Sequence, residues 1–168
     1  MKKLLPILFV LIITSCSKEI SSDKLVERNG VYYEVNSQTG FTGTSISYYE
    51  NDQLEVKQTY KNGKNDGPFE WYFENGQLDM RTNYKDGKID GLFERYFENG
   101  QLMIKLHFKD GKTHGLREEY FKKGQLSTRT NYKDGEEDGL SESYFVNGRL
   151  EISRCFKKGD SVDMSYCE

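Results

Sequence analysis

A glycine returns every 24 residues, at Gly43, Gly67, Gly91, Gly115 and Gly139, and the interval never slips. Other positions keep the same step. An aromatic pair follows each glycine, as Tyr48-Tyr49, Tyr72-Phe73, Tyr96-Phe97, Tyr120-Phe121 and Tyr144-Phe145. Leu54, Leu78, Leu102, Leu126 and Leu150 stay in phase, as do the rings Tyr60, Tyr84, Phe108, Tyr132 and Phe156 and a second glycine at Gly63, Gly87, Gly111, Gly135 and Gly159. So strict a period means a stack of small units that each touch only their neighbours, rather than one globular core.

Each unit divides into two β runs. Pro68 to Glu74 and Gln77 to Tyr84 flank Asn75-Gly76, a dipeptide that tolerates positive φ and reads as a two-residue hairpin turn. Lys85-Asp86-Gly87-Lys88-Ile89-Asp90-Gly91 then reads as a longer turn into the next unit. The expected fold class is all-β, an elongated antiparallel meander of tandem 24-residue β-hairpin repeats starting near 43, 67, 91, 115 and 139. Aromatics at 14% and 16 glycines against 2 prolines suit strands joined by tight turns.

A two-residue turn pairs Phe73 with Leu78, Trp71 with Met80, Phe69 with Thr82 and Gly67 with Tyr84 on one face. Each recurring ring then opposes a glycine and can lie over bare backbone. The other face pairs Glu70 with Arg81, Glu94 with Lys105 and Glu118 with Arg129 inside successive hairpins, beside a ladder of Tyr72 and its equivalents. The first face supplies the candidate binding residues: Phe69, Trp71, Phe73, Tyr84, Phe93, Phe97, Phe108, Phe121, Tyr132 and Phe145. A one-layer sheet leaves such a face in need of cover.

The chain begins as a targeting segment. Lys2 and Lys3 precede an apolar stretch from Leu4 to Ile13 that is too short to span a bilayer. Ile13-Thr14-Ser15-Cys16 resembles the bacterial lipobox. That resemblance implies loss of residues 1–15 as a signal peptide, acylation of Cys16, and membrane attachment through the N-terminal lipid. By its similarity to lipoprotein sorting signals, Ser17 favours the outer membrane, with the periplasmic and surface sides both open. Residues 16–29 read as lipidated N-terminus and tether, 30–160 as the array with a degenerate cap at 30–42, and 161–168 as a tail or capping strand. Without residues 1–15 the chain carries 22 basic against 27 acidic residues, a formal charge of −5, which argues against a nucleic-acid partner.

Catalytic chemistry finds little to use. The two histidines, His107 and His114, fall on the charged face and at a turn, with no nucleophile placed beside either. Glu70, Glu94 and Glu118 each have a basic partner in register, which spoils them as paired acids. Asp86 with Asp90, or Asp134 with Asp138, has the look of a calcium turn, but the several converging oxygens are missing. No enzyme activity, metal or cofactor is expected. Cys155 and Cys167 would bridge in an oxidising envelope only if the tail bends, because a hairpin at Lys158-Gly159 sets Cys155 opposite Val162.

Tyr, then Asn-Gly, then an aromatic and Lys-Asp-Gly-Lys-x-Asp-Gly resembles the MORN repeat in its bacterial variant form, over roughly residues 30 to 160. His114-Gly115 matches the usual ending of that pattern, and Asp66, Asp90 and Asp138 stand where the histidine would be. The resemblance implies a scaffold that binds proteins or phospholipids through a grooved aromatic face. Many chains with this repeat carry the label of YwqK-type antitoxins of toxin–antitoxin systems. The expectation is therefore a non-enzymatic, envelope-anchored binding scaffold for a protein or peptide partner. An antitoxin or immunity protein and a phospholipid-binding module are the alternatives.

Overall fold

The computed structural model describes residues 18–168. The expected signal peptide and the lipidation position Cys16 lie outside the described residues.

Strands β1 (Glu19–Ser21), β2 (Leu25–Arg28) and β3 (Val31–Glu34) precede the array, whose first unit is β4 (Gly43–Tyr48) and β5 (Leu54–Lys61). The second unit is β6 (Lys64–Tyr72) and β7 (Leu78–Lys85). In the third, β8 (Lys88–Ile89) and β9 (Gly91–Tyr96) are one strand interrupted at Asp90, followed by β10 (Leu102–Lys109). The fourth repeats this with β11 (Lys112–Thr113) and β12 (Gly115–Tyr120), interrupted at His114, then β13 (Leu126–Lys133). Next come β14 (Glu136–Tyr144), β15 (Leu150–Lys157) and a closing β16 (Asp160–Val162). From β4 onward the strands form one antiparallel meander; β1 joins its edge in parallel to β4, and β2 and β3 form a separate two-stranded sheet.

Two kinds of turn alternate, and they are the reverse of the sequence expectation. At Asp86-Gly87 both residues have left-handed φ, 50° and 85°, and Lys85 sits opposite Lys88, which is a two-residue type I′ turn. At the other end of the hairpin only Gly76 is left-handed. There the Phe73 N–H donates to the Gln77 carbonyl at 2.7 Å and the Gly76 N–H to the Phe73 carbonyl at 2.8 Å, so the loop has three residues and closes with a bulge at the glycine. Asn75 holds this form: its Oδ1 accepts the Gln77 N–H at 2.9 Å, and its Nδ2 donates to the Glu98 carbonyl of the next tip. Asn51 and Asn99 make the same step to Glu74 and Lys122.

The longer tip changes the register at one point. Gly67, Phe69, Glu70 and Trp71 pair with Tyr84, Thr82, Arg81 and Met80 as expected, but Tyr72 and not Phe73 faces Leu78, and a bulge takes up Asp79. Phe73, Phe97, Phe121 and Phe145 consequently stand in the tips, beyond the strands. A second correction concerns the recurring glycine. Gly91 opposes Phe108, but its φ is 105° and nothing lies within 4 Å of where a Cβ would stand. The backbone conformation beside the Asp90 bulge, not the ring opposite, demands glycine.

The type I′ turns hang from one another. The Gly87, Gly111 and Gly135 N–H groups donate to the carbonyls of Asn65, Ile89 and Thr113, each at 2.8–2.9 Å. Asp66, Asp90 and Asp138 accept the backbone N–H of Asp86, Asp110 and Lys158 at 3.0–3.3 Å, so a carboxylate caps the left-handed residue of the following turn.

Residues 19–28 are not a tether. β1 aligns Glu19–Ser21 with Thr44–Ile46 and occupies the open edge of the first unit. The β2–β3 hairpin lies against that unit: the Tyr32 N–H donates to the Gly63 carbonyl and the Gly63 N–H to the Phe41 carbonyl. Tyr32 and Phe41 stack on Tyr60 with ring centres 5.0 and 5.8 Å away, leaving Phe41 2% and Tyr60 5% exposed. At the opposite end Val162 pairs with Cys155, then Asp163 accepts the Ser165 N–H and starts a 3-10 turn over Met164–Tyr166. The turn reverses the tail, and Cys167 forms a disulfide with Cys155 across 5.9 Å between Cα atoms.

Candidate functional site

Alternation along the strands sorts every unit into two faces. The face of Gly67, Phe69 and Trp71 is aromatic in the second and third units. Phe69 meets Tyr84 edge-on at 6.0 Å and Phe93 meets Phe108 at 5.9 Å, the tilted geometry that ring quadrupoles favour. Trp71 is 41% exposed beside them. Burial pushes the Tyr84 phenol above its usual range, with the nearby Tyr32 phenol adding to it. Of the ten residues expected on this face, the structure brings together Phe69, Trp71, Tyr84, Phe93 and Phe108. The tip residues Phe73, Phe97, Phe121 and Phe145 are not part of it.

Following the same rows toward the C-terminus, the aromatic character stops. Phe69 and Phe93 give way to Arg117 and Ser141, Trp71 to Arg95, Glu119 and Ser143, and Leu106 to Thr130 and Arg154. Tyr132 is therefore set among polar groups. Stepping each face position by 24 residues would have shown this change in the sequence alone.

The opposite face carries its charges differently from expectation. Arg81 pairs by backbone with Glu70, yet its Nε donates to Glu94 of the next unit at 2.5 Å, and Arg129 likewise bonds Glu142 rather than Glu118. Glu94 and Glu142 are also register partners of these arginines across the strand gap to the next unit, and Tyr96 and Tyr144 donate to their same oxygens at 3.1 and 2.9 Å, as Tyr72 does to Glu70 at 3.0 Å. Burial opposes ionisation of Glu142, but the Arg129 and Tyr144 hydrogen bonds outweigh it and hold the carboxyl below its usual range. Lys105 makes no ion pair among the described residues.

His107 is exposed opposite Leu92, and His114 Nδ1 lies 3.6 Å from Asp134. No group of three His, Cys, Asp or Glu among the described residues is placed to hold a metal ion. No helix among the described residues is long and apolar enough to cross a membrane.

The family model described as the MORN repeat variant matches residues 41–62, 65–86, 89–110 and 113–134. A search of curated proteins returned no match. Among solved structures, the crystal structure of a GtfA/B complex bound to UDP and GlcNAc aligns with 80% of this chain and 24% of its own. The identity is 13% and the TM-score 0.27, too low to say anything of function. MORN repeats are protein- or lipid-binding modules. The four matched units make up more than half of the residues and repeat one hairpin step for step, and the chain belongs to the MORN repeat variant family.

Proposed function

We propose that this protein is a non-enzymatic binding scaffold, held at the cell envelope by a lipid on Cys16, that captures a protein or peptide partner on the aromatic part of its face. One observation carries the reading. Trp71 stays 41% exposed on a one-layer sheet whose N-terminal hairpin stacks its rings on Tyr60, one unit earlier. Aromatic residues of this kind dominate binding energy where a partner can desolvate them. The Cys155–Cys167 disulfide supports an oxidising compartment. A toxin would be one such partner, and co-expression with the adjacent reading frame, scored for growth, separates that case from a general scaffold.

The test is cross-linking of the full-length protein in its native membranes, comparing the natural chain with Trp71→Ser and Phe93→Ser. The expected result is a partner attached to the natural chain and lost from both variants, with an unchanged β-type circular dichroism spectrum. A partner retained by both would defeat the reading. Release of a Cys16→Ser chain into the soluble fraction tests the anchor separately.

A further inference from the structure

We propose that the polar depression over β12 to β15 binds a neutral saccharide chain. Its walls and floor come from two rows of paired positions. One row runs Arg117, Thr130, Ser141, Arg154 and the next Glu119, Thr128, Ser143, Ile152. Together with Tyr132, Glu137 and Glu142 these residues line an open depression of about 310 Å³, at the small end of ligand sites.

Nothing in the fold requires this composition. The same rows in the second and third units hold Phe69, Phe93, Trp71 and Leu106 in the same hairpin register. A merely solvated face would also leave its donors in water, whereas Arg117 Nε is buried with no hydrogen-bond partner among the described residues. Arg117 is instead held through Nη2 by Glu119. Thr130 and Ser141 share a hydrogen bond of 2.8 Å between their hydroxyls, forming a floor too small to fill the space above it.

Charge selects the ligand. Arg117 is paired with Glu119 and the lining carboxylate Glu142 with Arg129, while Glu137 accepts from the Tyr132 hydroxyl at 3.3 Å and Arg154 makes no ion pair among the described residues, so the depression carries charges of both signs with no excess of either. An anion would have to approach the glutamates and a cation the arginines. A neutral polyol meets neither obstacle and can use donors and acceptors together, so each hydroxyl it desolvates finds a partner. The Tyr132 ring offers an apolar surface for the C–H side of a pyranose. The paired rows cross three strand gaps, roughly 14 Å at about 4.8 Å each, which suits consecutive rings of a chain better than one enclosed sugar.

The experiment titrates the full-length protein in detergent with malto-, cello-, chito- and xylohexaose, using calorimetry and ligand-observed NMR. A sulfated heparin hexasaccharide and hexaglutamate serve as charged probes. The expected result is binding of at least one neutral hexaose, unchanged by added salt and weakened about tenfold or more by Tyr132→Ala and by Arg154→Gln. Arg154 is exposed, so its variant keeps the test valid if Tyr132→Ala unfolds the sheet. No binding by any neutral hexaose, binding by the charged probes alone, or binding untouched by Arg154→Gln would each overturn the proposal. The site lies outside the aromatic stretch, and loss of the protein partner in Trp71→Ser is a separate outcome.

Discussion

Arg81 stands between Glu70, its backbone partner within the hairpin, and Glu94, its backbone partner in the following unit, and bonds Glu94. The ion pairs therefore fasten one unit to the next instead of closing each on itself. Double-mutant cycles should find about 0.5 to 1 kcal/mol of coupling between Arg81 and Glu94, half the arginine being in water, and near zero between Arg81 and Glu70. Equal coupling to both glutamates would contradict the geometry.

The same contact type gives a pH signature at Glu142. Its folded carboxyl is held below the usual 4.5 despite burial, because Arg129 and Tyr144 bond the charged form. A depressed carboxylate contributes stability that is complete above the unfolded value and lost as pH falls through the folded one. The gap in melting temperature between the natural chain and Glu142→Gln should thus be full at about pH 6 and close on acidification below about pH 4.5. A gap independent of pH would exclude the ionised carboxylate as its source.

Covering the first unit is worth more than any surface pair. Phe41 is 2% exposed against Tyr60, so Phe41→Ala should cost about 3 to 5 kcal/mol in denaturant unfolding. Phe145→Ala, at a tip and 47% exposed, should stay within about 0.5 kcal/mol.

Lys85 and Lys88 face each other across a type I′ turn, as do Lys61 with Lys64 and Lys109 with Lys112. Like charges directly opposite cost free energy, and the fourth unit's turn already pairs Lys133 with Glu136. Lys88→Glu should stabilise the protein by about 0.2 to 1 kcal/mol, with the gain shrinking in high salt.

The disulfide closes a loop with a sequence separation of 12. Cys167→Ser should cost about 2 to 3 kcal/mol, read as faster amide exchange in β15 and β16 with little change near Phe41. Uniform loss of protection along the array would show that the bridge supports more than the last hairpin.

The period, strand runs, faces and most of the register were legible in the sequence, because a 24-residue step leaves few alternatives for Gly67, Phe69 and Trp71. The turns were not. Asn75-Gly76 and Asp86-Gly87 are equal candidates for a two-residue turn by dipeptide alone, and the choice is made by Asn75 reaching the next tip, a contact between units. The folded segment at 19–28 was also hidden, since a short polar stretch reveals little until the open edge of β4 is seen to accept β1. In the candidate site, Arg117, Glu119 and Arg154 stand at 24-residue steps from Phe93, Trp71 and Leu106, a break in the aromatic rows that the strict period of the flanking Gly, Tyr and Leu positions hides.

The tip ladder built by Asn51, Asn75 and Asn99 ends at Lys123, which has no carboxamide to pass on. Up to that point every unit passes its successor the same tip hydrogen bond it received, so duplication or deletion of 24 residues in register leaves that ladder unbroken. Array length is thereby free to drift between the fixed ends, the Phe41 cap and the Cys155 clasp. The final hairpin sits outside this interchangeable stock, and a lineage that grows or shrinks the array must do so upstream of it.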